Sequence, residues 1–315
     1  MRSDATIYVA GQTTLLGAAI VRALKRQRCL LIEERDPDFS DRAAVDAFLR
    51  RTSPEAMIIA AGASGGIHAN QAFPAEFMQD NLLVACHLID SAYRHGVGKL
   101  LYLGSSCSYP KHCPQPMRIE SLLTGPLEPT NAPYAVAKLA GMTLCQAYRQ
   151  QFGAMFIVGI PGDAFGPGDD FHPDRSHVIA SLIRKMHEAK EGGAASVEVW
   201  GTGRPRRGFI FADDLASACL FVLRAYEGAE PINIAGDWDV SIKDVAELIK
   251  EVVGFSGALQ FNASKPDGIP VKVLDGSRLY QMGWRPRHTI REALSATYQW
   301  FVGTQQEMPA VRSGA

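Results

Sequence analysis

Tyr134 and Lys138 stand four residues apart at the start of a helical pattern, Tyr134-Ala135-Val136-Ala137-Lys138. Residues so spaced share one helix face. A lysine ammonium there stabilises a phenolate and lowers the tyrosine pKa. The phenol can then give a proton to a carbonyl oxygen as hydride arrives, or run the reverse. The same ammonium can hold the ribose hydroxyls of a nicotinamide cofactor. Ser105 ends an earlier apolar run and is placed to bond the same oxygen. Each feature alone is common, since Tyr-x-x-x-Lys arises by chance and a serine after a strand is usually a loop residue. Their combination with a glycine turn is far more specific.

That turn follows the first apolar run, Thr6–Ala10, and reads Gly11-Gln12-Thr13-Thr14-Leu15-Leu16-Gly17. Gly11 permits a tight turn, Gly17 permits close helix-to-strand packing, and the helix start offers free N–H groups to a pyrophosphate. Gly11, Thr13, Thr14, Leu15 and Gly17 are therefore the candidate dinucleotide loop. The end of the second strand decides between the two nicotinamide dinucleotides: an acidic residue bonds a ribose 2′-hydroxyl, and an arginine accepts a 2′-phosphate. Glu33, Glu34, Arg35 and Asp36 are all there, so both NADP(H) and NAD(H) stay open. Asp41 reads equally as an adenine-side contact and as a helix N-cap.

The elements that would position these groups alternate. Apolar runs at 6–10, 30–32, 56–61, 99–103 and 155–160 are separated by helical patterns at 16–26, 41–51, 76–95 and 134–151. The runs are apolar throughout, as strands buried on both faces require. The fold class is α/β: a Rossmann-type doubly wound parallel sheet with a smaller C-terminal α/β substrate domain. The expected division places residues 1–161, joined by 206–238, in the dinucleotide-binding domain. Most of 162–315 falls to the substrate domain.

Composition narrows the class. The chain has 315 residues, 47% hydrophobic and 21% charged, with a net charge of -1, so no nucleic-acid or anionic-membrane partner is indicated. No apolar run is long enough to span a bilayer. No signal peptide precedes the first strand, which predicts a cytoplasmic protein. The six cysteines are scattered without Cys-x-x-Cys spacing, which argues against a disulfide framework or a metal site.

Together the glycine turn, Ser105, Tyr134 and Lys138 resemble the extended short-chain dehydrogenase/reductase family. Longer segments narrow this. Gly104-Ser105-Ser106-Cys107-Ser108-Tyr109-Pro110, Leu127-Glu128-Pro129-Thr130-Asn131-Ala132-Pro133-Tyr134, Ser176-His177-Val178-Ile179 and Ser264-Lys265-Pro266-Asp267-Gly268 are similar to the GDP-L-fucose synthase family. The resemblance runs from residue 6 to about 302. It implies epimerisation at C3 and C5 of GDP-4-keto-6-deoxy-D-mannose, then NADPH-dependent reduction at C4. It implies Cys107 as base and His177 as acid, with Ser105, Tyr134 and Lys138 on the enolate oxygen. It implies Lys185, Trp200, Arg207, Lys265 and Asp267 as the GDP-side residues, with Arg207 on phosphate. It further implies a homodimer built on the helices at 76–95 and 134–151.

The chain departs from that pattern at several positions. Thr13 replaces an arginine and Thr14 a glycine, where a Cβ could crowd the pyrophosphate. Gly162-Asp163 replaces Thr-Asn, Phe165 a tyrosine, Lys185 an arginine, and Gly208 an acidic residue. Two alternatives follow. One is an epimerase or epimerase/reductase acting on another GDP-4-keto sugar, a dideoxy-hexose or heptose. The other is a non-catalytic sugar-nucleotide binding protein.

Overall fold

The computed structural model describes residues 5–307. Its first half runs β1 (Thr6–Ala10), α1 (Leu15–Arg26), β2 (Leu30–Leu31), α2 (Arg42–Thr52), β3 (Ala56–Ile59), α3 (Ile67–Ala72), α4 (Pro74–Arg94), β4 (Lys99–Leu103), α5 (Ala132–Phe152) and β5 (Phe156–Pro161). Next come β6 (Asp163–Phe165), α6 (Val178–Glu191), β7 (Ser196–Trp200), β8 (Arg206–Phe211), α7 (Ala212–Ala225), β9 (Ile232–Ile234) and β10 (Trp238–Ser241). The chain closes with α8 (Ile242–Val253), β11 (Ala258–Asn262), β12 (Val271–Lys272), α9 (Ser277–Gln281) and α10 (Ile290–Glu307).

A six-stranded sheet of order β2-β1-β3-β4-β5-β9 is parallel throughout. The strands β3, β4 and β5 are buried along their whole length, as their unbroken apolar sequences require. One core fills the face covered by α2, α4 and α5, with Phe48, Leu88 and Met142. A second fills the face covered by α1 and α7, with Ile20, Leu215 and Leu223. The expected parallel, doubly wound α/β sheet is thus present.

The smaller layer is built around β8, which pairs with β6, β10 and β12. A two-stranded parallel unit, β7 with β11, lies beside it. Helices α6, α8 and α10 supply its core, through Ile183, Ile249 and Phe301. Within the 206–238 stretch the chain divides its loyalties: β8 joins the second sheet, while α7 packs on the first and β9 completes it.

Local chemistry sets the boundaries. Ser241 caps α8 by accepting the Asp244 N–H at 3.0 Å, and Gly254 ends it in the left-handed region. Pro133 lies in the first turn of α5, and Gly153 terminates it at φ +69°. The long α4 and α5 pack against each other along the sheet. The switch point of the strand order falls between β1 and β3, and crevices at such points take ligands beyond the carboxyl ends of the strands. The segments leaving β1, β3, β4 and β5 all emerge on that edge.

Candidate active site

Gly11 leaves β1 at φ +87°, and a Cβ there would lie 2.7 Å from the Ala61 backbone that leaves β3. Gly17, one turn into α1, is tighter still: its Cβ would fall 1.9 Å from the Gly11 carbonyl oxygen. Both glycines are therefore obligatory, as the dinucleotide reading expects. Thr14 resolves differently from its expectation. Its φ of -71° needs no glycine, and it is the N-cap of α1. Its hydroxyl accepts the Gly17 N–H at 3.0 Å and turns toward the carbonyls of Gly11 and Ala60, at 2.9 and 3.1 Å. The side chain thus points into the β1–β3 crevice, and the N–H groups of Leu15 and Leu16 remain for an anion. This cradle fits a dinucleotide pyrophosphate.

At the end of β2, Asp36 accepts the N–H groups of Gly11 and Gln12, both at 3.0 Å, and the Tyr8 hydroxyl at 2.6 Å. Glu33 and Glu34 are tied to Lys25 and Arg51. Arg35 is exposed and has no ion-pair partner among the described residues. Asp41 caps α2, accepting the Ala43 N–H at 2.8 Å.

The candidate reacting groups lie on segments that leave β4, start α5 and start α6. Ser105 starts a single 3-10 turn after β4, and its Oγ accepts the Cys107 N–H at 3.2 Å. That turn presents Cys107 Sγ, which receives the Asn131 Nδ2 at 3.2 Å. Tyr134 lies in the first turn of α5, the helix that packs against this 3-10 turn. His177 sits at the N-cap of α6, with Ser64 Oγ 3.4 Å from its Nε2. Its ring is open to solvent inside the cleft, yet surrounding protein lowers its pKa; Asp163 opposes that shift.

Lys138 gives the largest electrostatic surprise. Its ammonium is buried 5.1 Å over the Tyr102 ring, and desolvation pushes its pKa down to about 8. The Tyr134 phenol is held above its ordinary value, first by burial and next by Cys107, with Ser105 opposing. In the free cleft, burial outweighs the lowering expected from the lysine. The phenol is kept as a proton donor.

Asp163 and Lys272 form a buried pair, Nζ to Oδ1 at 2.6 Å, at the first residue of β6. Arg207 Nε lies 4.0 Å from Asp163 Oδ2. The pair links the whole cluster. Asp163 acts on Tyr134 and His177, while Lys272 and Arg207 both feel Cys107. Cys107, His177 and Tyr134 are therefore coupled electrostatically to one charged pair, and a thiol, an imidazole and a phenol so coupled are groups able to move protons beside a carbonyl.

The GDP-side residues fall into two groups. Trp200 is 46% exposed, so it is no core residue, and Lys185 and Lys265 lie 5.5 and 4.9 Å over its ring. Arg207 and Asp267 are partly committed to shaping the loop before β12. Arg207 donates to the carbonyls of Ile269 at 2.6 Å and Asp267 at 3.3 Å. The Asp267 carboxylate accepts the Thr202 N–H and hydroxyl at 2.7 and 2.8 Å.

Residues 7–235, the six-stranded sheet with its glycine turn and Tyr134–Lys138, match the NAD dependent epimerase/dehydratase family. The chain belongs to that family.

Among relatives of this epimerase/dehydratase, GDP-L-fucose synthase 1 of Arabidopsis thaliana is 49% identical over 95% of this chain and 94% of its own. A GDP-6-OMe-4-keto-L-xylo-heptose reductase from C. jejuni superposes with a TM-score of 0.90 at 30% identity, covering 96% of this chain and 99% of that one. A GDP-L-fucose synthetase from Naegleria fowleri, bound to NADP, gives 0.88 at 27% identity, covering 97% and 96%. The resemblance drawn from the motifs is thereby borne out.

The epimerase/dehydratase site also contains residues that motif reading missed. Asn131 lay inside a matched segment, yet nothing in sequence assigned its amide to a sulfur. Ser64 and Lys272 carry no local signal at all, and Asp36, read only as a candidate ribose contact, instead accepts the N–H groups of the glycine turn. Asp163 and Gly208, noted only as departures, are neighbours: a Cβ on Gly162 would approach the Gly208 carbonyl oxygen to 3.0 Å. One acidic charge is absent from position 208 and one is present at 163, on the adjoining strand.

Proposed function

We propose that the chain converts GDP-4-keto-6-deoxy-D-mannose to GDP-L-fucose, epimerising C3 and C5 and reducing C4. The observation that carries the reading is the coupling of Cys107, His177 and Tyr134 to the one buried Asp163–Lys272 pair. It is supported by the 49% identity to a GDP-L-fucose synthase. The C4 ketone acidifies the protons on its neighbouring carbons. Cys107 sulfur removes such a proton, and His177 returns one to the other face of that carbon. Ser105 and Tyr134 hydroxyls bond the enolate oxygen meanwhile, stabilising the charge that develops there. Tyr134 afterwards donates its phenolic proton to the C4 oxygen. A reduced nicotinamide supplies the hydride for that step.

The dinucleotide is NADP(H), with Arg35 available to a 2′-phosphate, Gly11, Thr13, Thr14, Leu15 and Gly17 along the pyrophosphate, and Asp41 on the adenine side. Tyr134 and Lys138 hold its ribose. Thr13 carries no charge, which keeps NAD(H) as the alternative. Residues 5–161 with α7 and β9 hold this dinucleotide, and the second layer holds the GDP sugar through Lys185, Trp200, Arg207, Lys265 and Asp267. Exposed Tyr93, Val136 and Phe152 on α4 and α5 suit a homodimer across those helices. No described helix is long and apolar enough to cross a membrane, and all six cysteines are unpaired, which suits a reducing cytoplasm.

The test is oxidation of NADPH and NADH with GDP-4-keto-6-deoxymannose, with the product identified by NMR. Turnover to GDP-L-fucose is expected; no turnover with either nicotinamide overturns the reading. A related GDP-4-keto sugar is the second reading, favoured by Asp163 and Lys185. The same assay over GDP-4-keto dideoxy-hexoses and heptoses decides it.

A further inference from the structure

Asp163 uses its two carboxylate oxygens unequally. Oδ1 receives the Lys272 ammonium at 2.6 Å and the Ser106 hydroxyl at 3.3 Å. Oδ2 accepts no hydrogen bond among the described residues. Its nearest ion-pair contact, Arg207 Nε at 4.0 Å, is beyond bonding distance. The side chain is 25% exposed, while those of Lys272 and Arg207 are 12% and 13% exposed. Asp163 is close enough to Tyr134 and His177 for its charge to act on both, so the carboxylate lies beside the groups assigned to the reaction.

An ionised carboxylate is an acceptor only. Lys272 and Arg207 hold Asp163 ionised, so Oδ2 is one unfilled acceptor beside two cations. A phosphate oxygen is itself an acceptor and could not hydrogen-bond to Oδ2. A neutral O–H would complete its hydrogen bonding. We propose that Asp163 is a specificity-determining residue whose Oδ2 accepts a hydrogen bond from a ring hydroxyl of the sugar. The proposal rests on a GDP sugar being the ligand. It does not depend on which reaction that sugar undergoes.

The experiment is therefore a binding measurement, by titration calorimetry, with GDP, GDP-mannose, and its 2-deoxy and 3-deoxy analogues. Asp163→Asn keeps the shape and turns the open acceptor into a donor. The variant is expected to bind GDP-mannose about 10-fold more weakly or worse, as loss of a hydrogen bond to a charged group implies. GDP alone is expected to bind within about twofold of wild type, because it lacks the hydroxyl in question. One deoxy analogue should bind wild type and variant alike, and which one does so identifies the hydroxyl. Equal losses for GDP and GDP-mannose, or no loss for either, overturn the proposal.

Asp163→Asn also strands the Lys272 charge, so a second variant removes that ambiguity. Asp163→Asn with Lys272→Met is neutral again. If the pair variant recovers GDP-mannose affinity, Asp163 served only to hold Lys272 and the proposal fails. Persistent selective loss sustains it. Wild type that binds GDP-mannose yet reduces no keto sugar refutes the proposed reaction and leaves this outcome readable.

Discussion

The Asn131 amide donates to the sulfur of Cys107 at 3.2 Å, while its own Oδ1 is buried without a protein partner. The thiol is thereby aimed by the N-cap residue of α5, so the proposed base and the phenol are set by the same helix start. Asn131→Ala should leave Sγ free to rotate. Deuterium exchange into C3 and C5 is expected to slow roughly 10-fold or more, since misplacement of a reacting group is costly. Reduction of an already epimerised ketone should change by less than about twofold, a split that steady-state assays with both substrates would read.

Cys107→Ser should be more severe on the same axis. Exchange at C3 and C5 is expected to fall by roughly 100-fold or more with loss of the base. Reduction of the epimerised ketone should survive. Exchange that persists would remove Cys107 from its assigned role.

Lys138, pushed down to about 8 by burial, is largely neutral above that pH in the free protein. Dinucleotide phosphates and ribose hydroxyls favour its charged form. Binding at pH 8.5–9 should therefore take up a proton, and binding near pH 6.5 should not. Calorimetry in buffers of different ionisation enthalpy measures this. Lys138→Met should abolish the uptake.

Asp169 carries a stability prediction. Its side chain is buried, with Oδ2 lacking a partner, and desolvation raises its pKa to about 7. A carboxyl whose folded value lies above its unfolded one contributes stability that is complete below the unfolded value, near 3.8. That contribution is lost as pH rises through about 7. The ceiling is about 4 kcal/mol by pH 8. Asp169→Asn stays neutral, so its Tm should fall several degrees less than wild type between pH 5 and pH 8, as thermal melts would show.

Gly17→Ala places a Cβ 1.9 Å from the Gly11 carbonyl oxygen, against backbone that cannot swing aside. Roughly 3 kcal/mol or more of destabilisation is expected, read from the urea midpoint. Gly153→Ala is the control. It meets nothing within 4 Å and bears only the strain of φ +69°, about 1–2 kcal/mol.

What could be read in the sequence was what depends on local geometry. The glycines at 11 and 17 are demanded by the turn itself, and the Tyr134–Lys138 spacing by the helix repeat. Apolar runs revealed the parallel sheet for the same reason. They could not reveal that β8 leaves that sheet for another, because short buried strands look alike whichever sheet takes them. Asp163 and Lys272 come from distant segments, and only the tertiary fold makes them a pair. Tyr134 illustrates the limit best. The sequence shows a lysine that lowers its pKa, whereas burial, which belongs to the folded state, prevails and raises it.

The chain passes from the first sheet to the second at Pro161-Gly162-Asp163, where Asp163 accepts a bond from the turn that carries Cys107. Cys107 and Tyr134 ride on one layer and His177 on the other. Their alignment is consequently a mechanical property of the seam between layers. A parting of about one ångström costs such chemistry on the order of 100-fold while leaving each layer's core intact. On heating, activity should therefore fade before the fold does, and whatever ligand bridges the seam acts as its clasp.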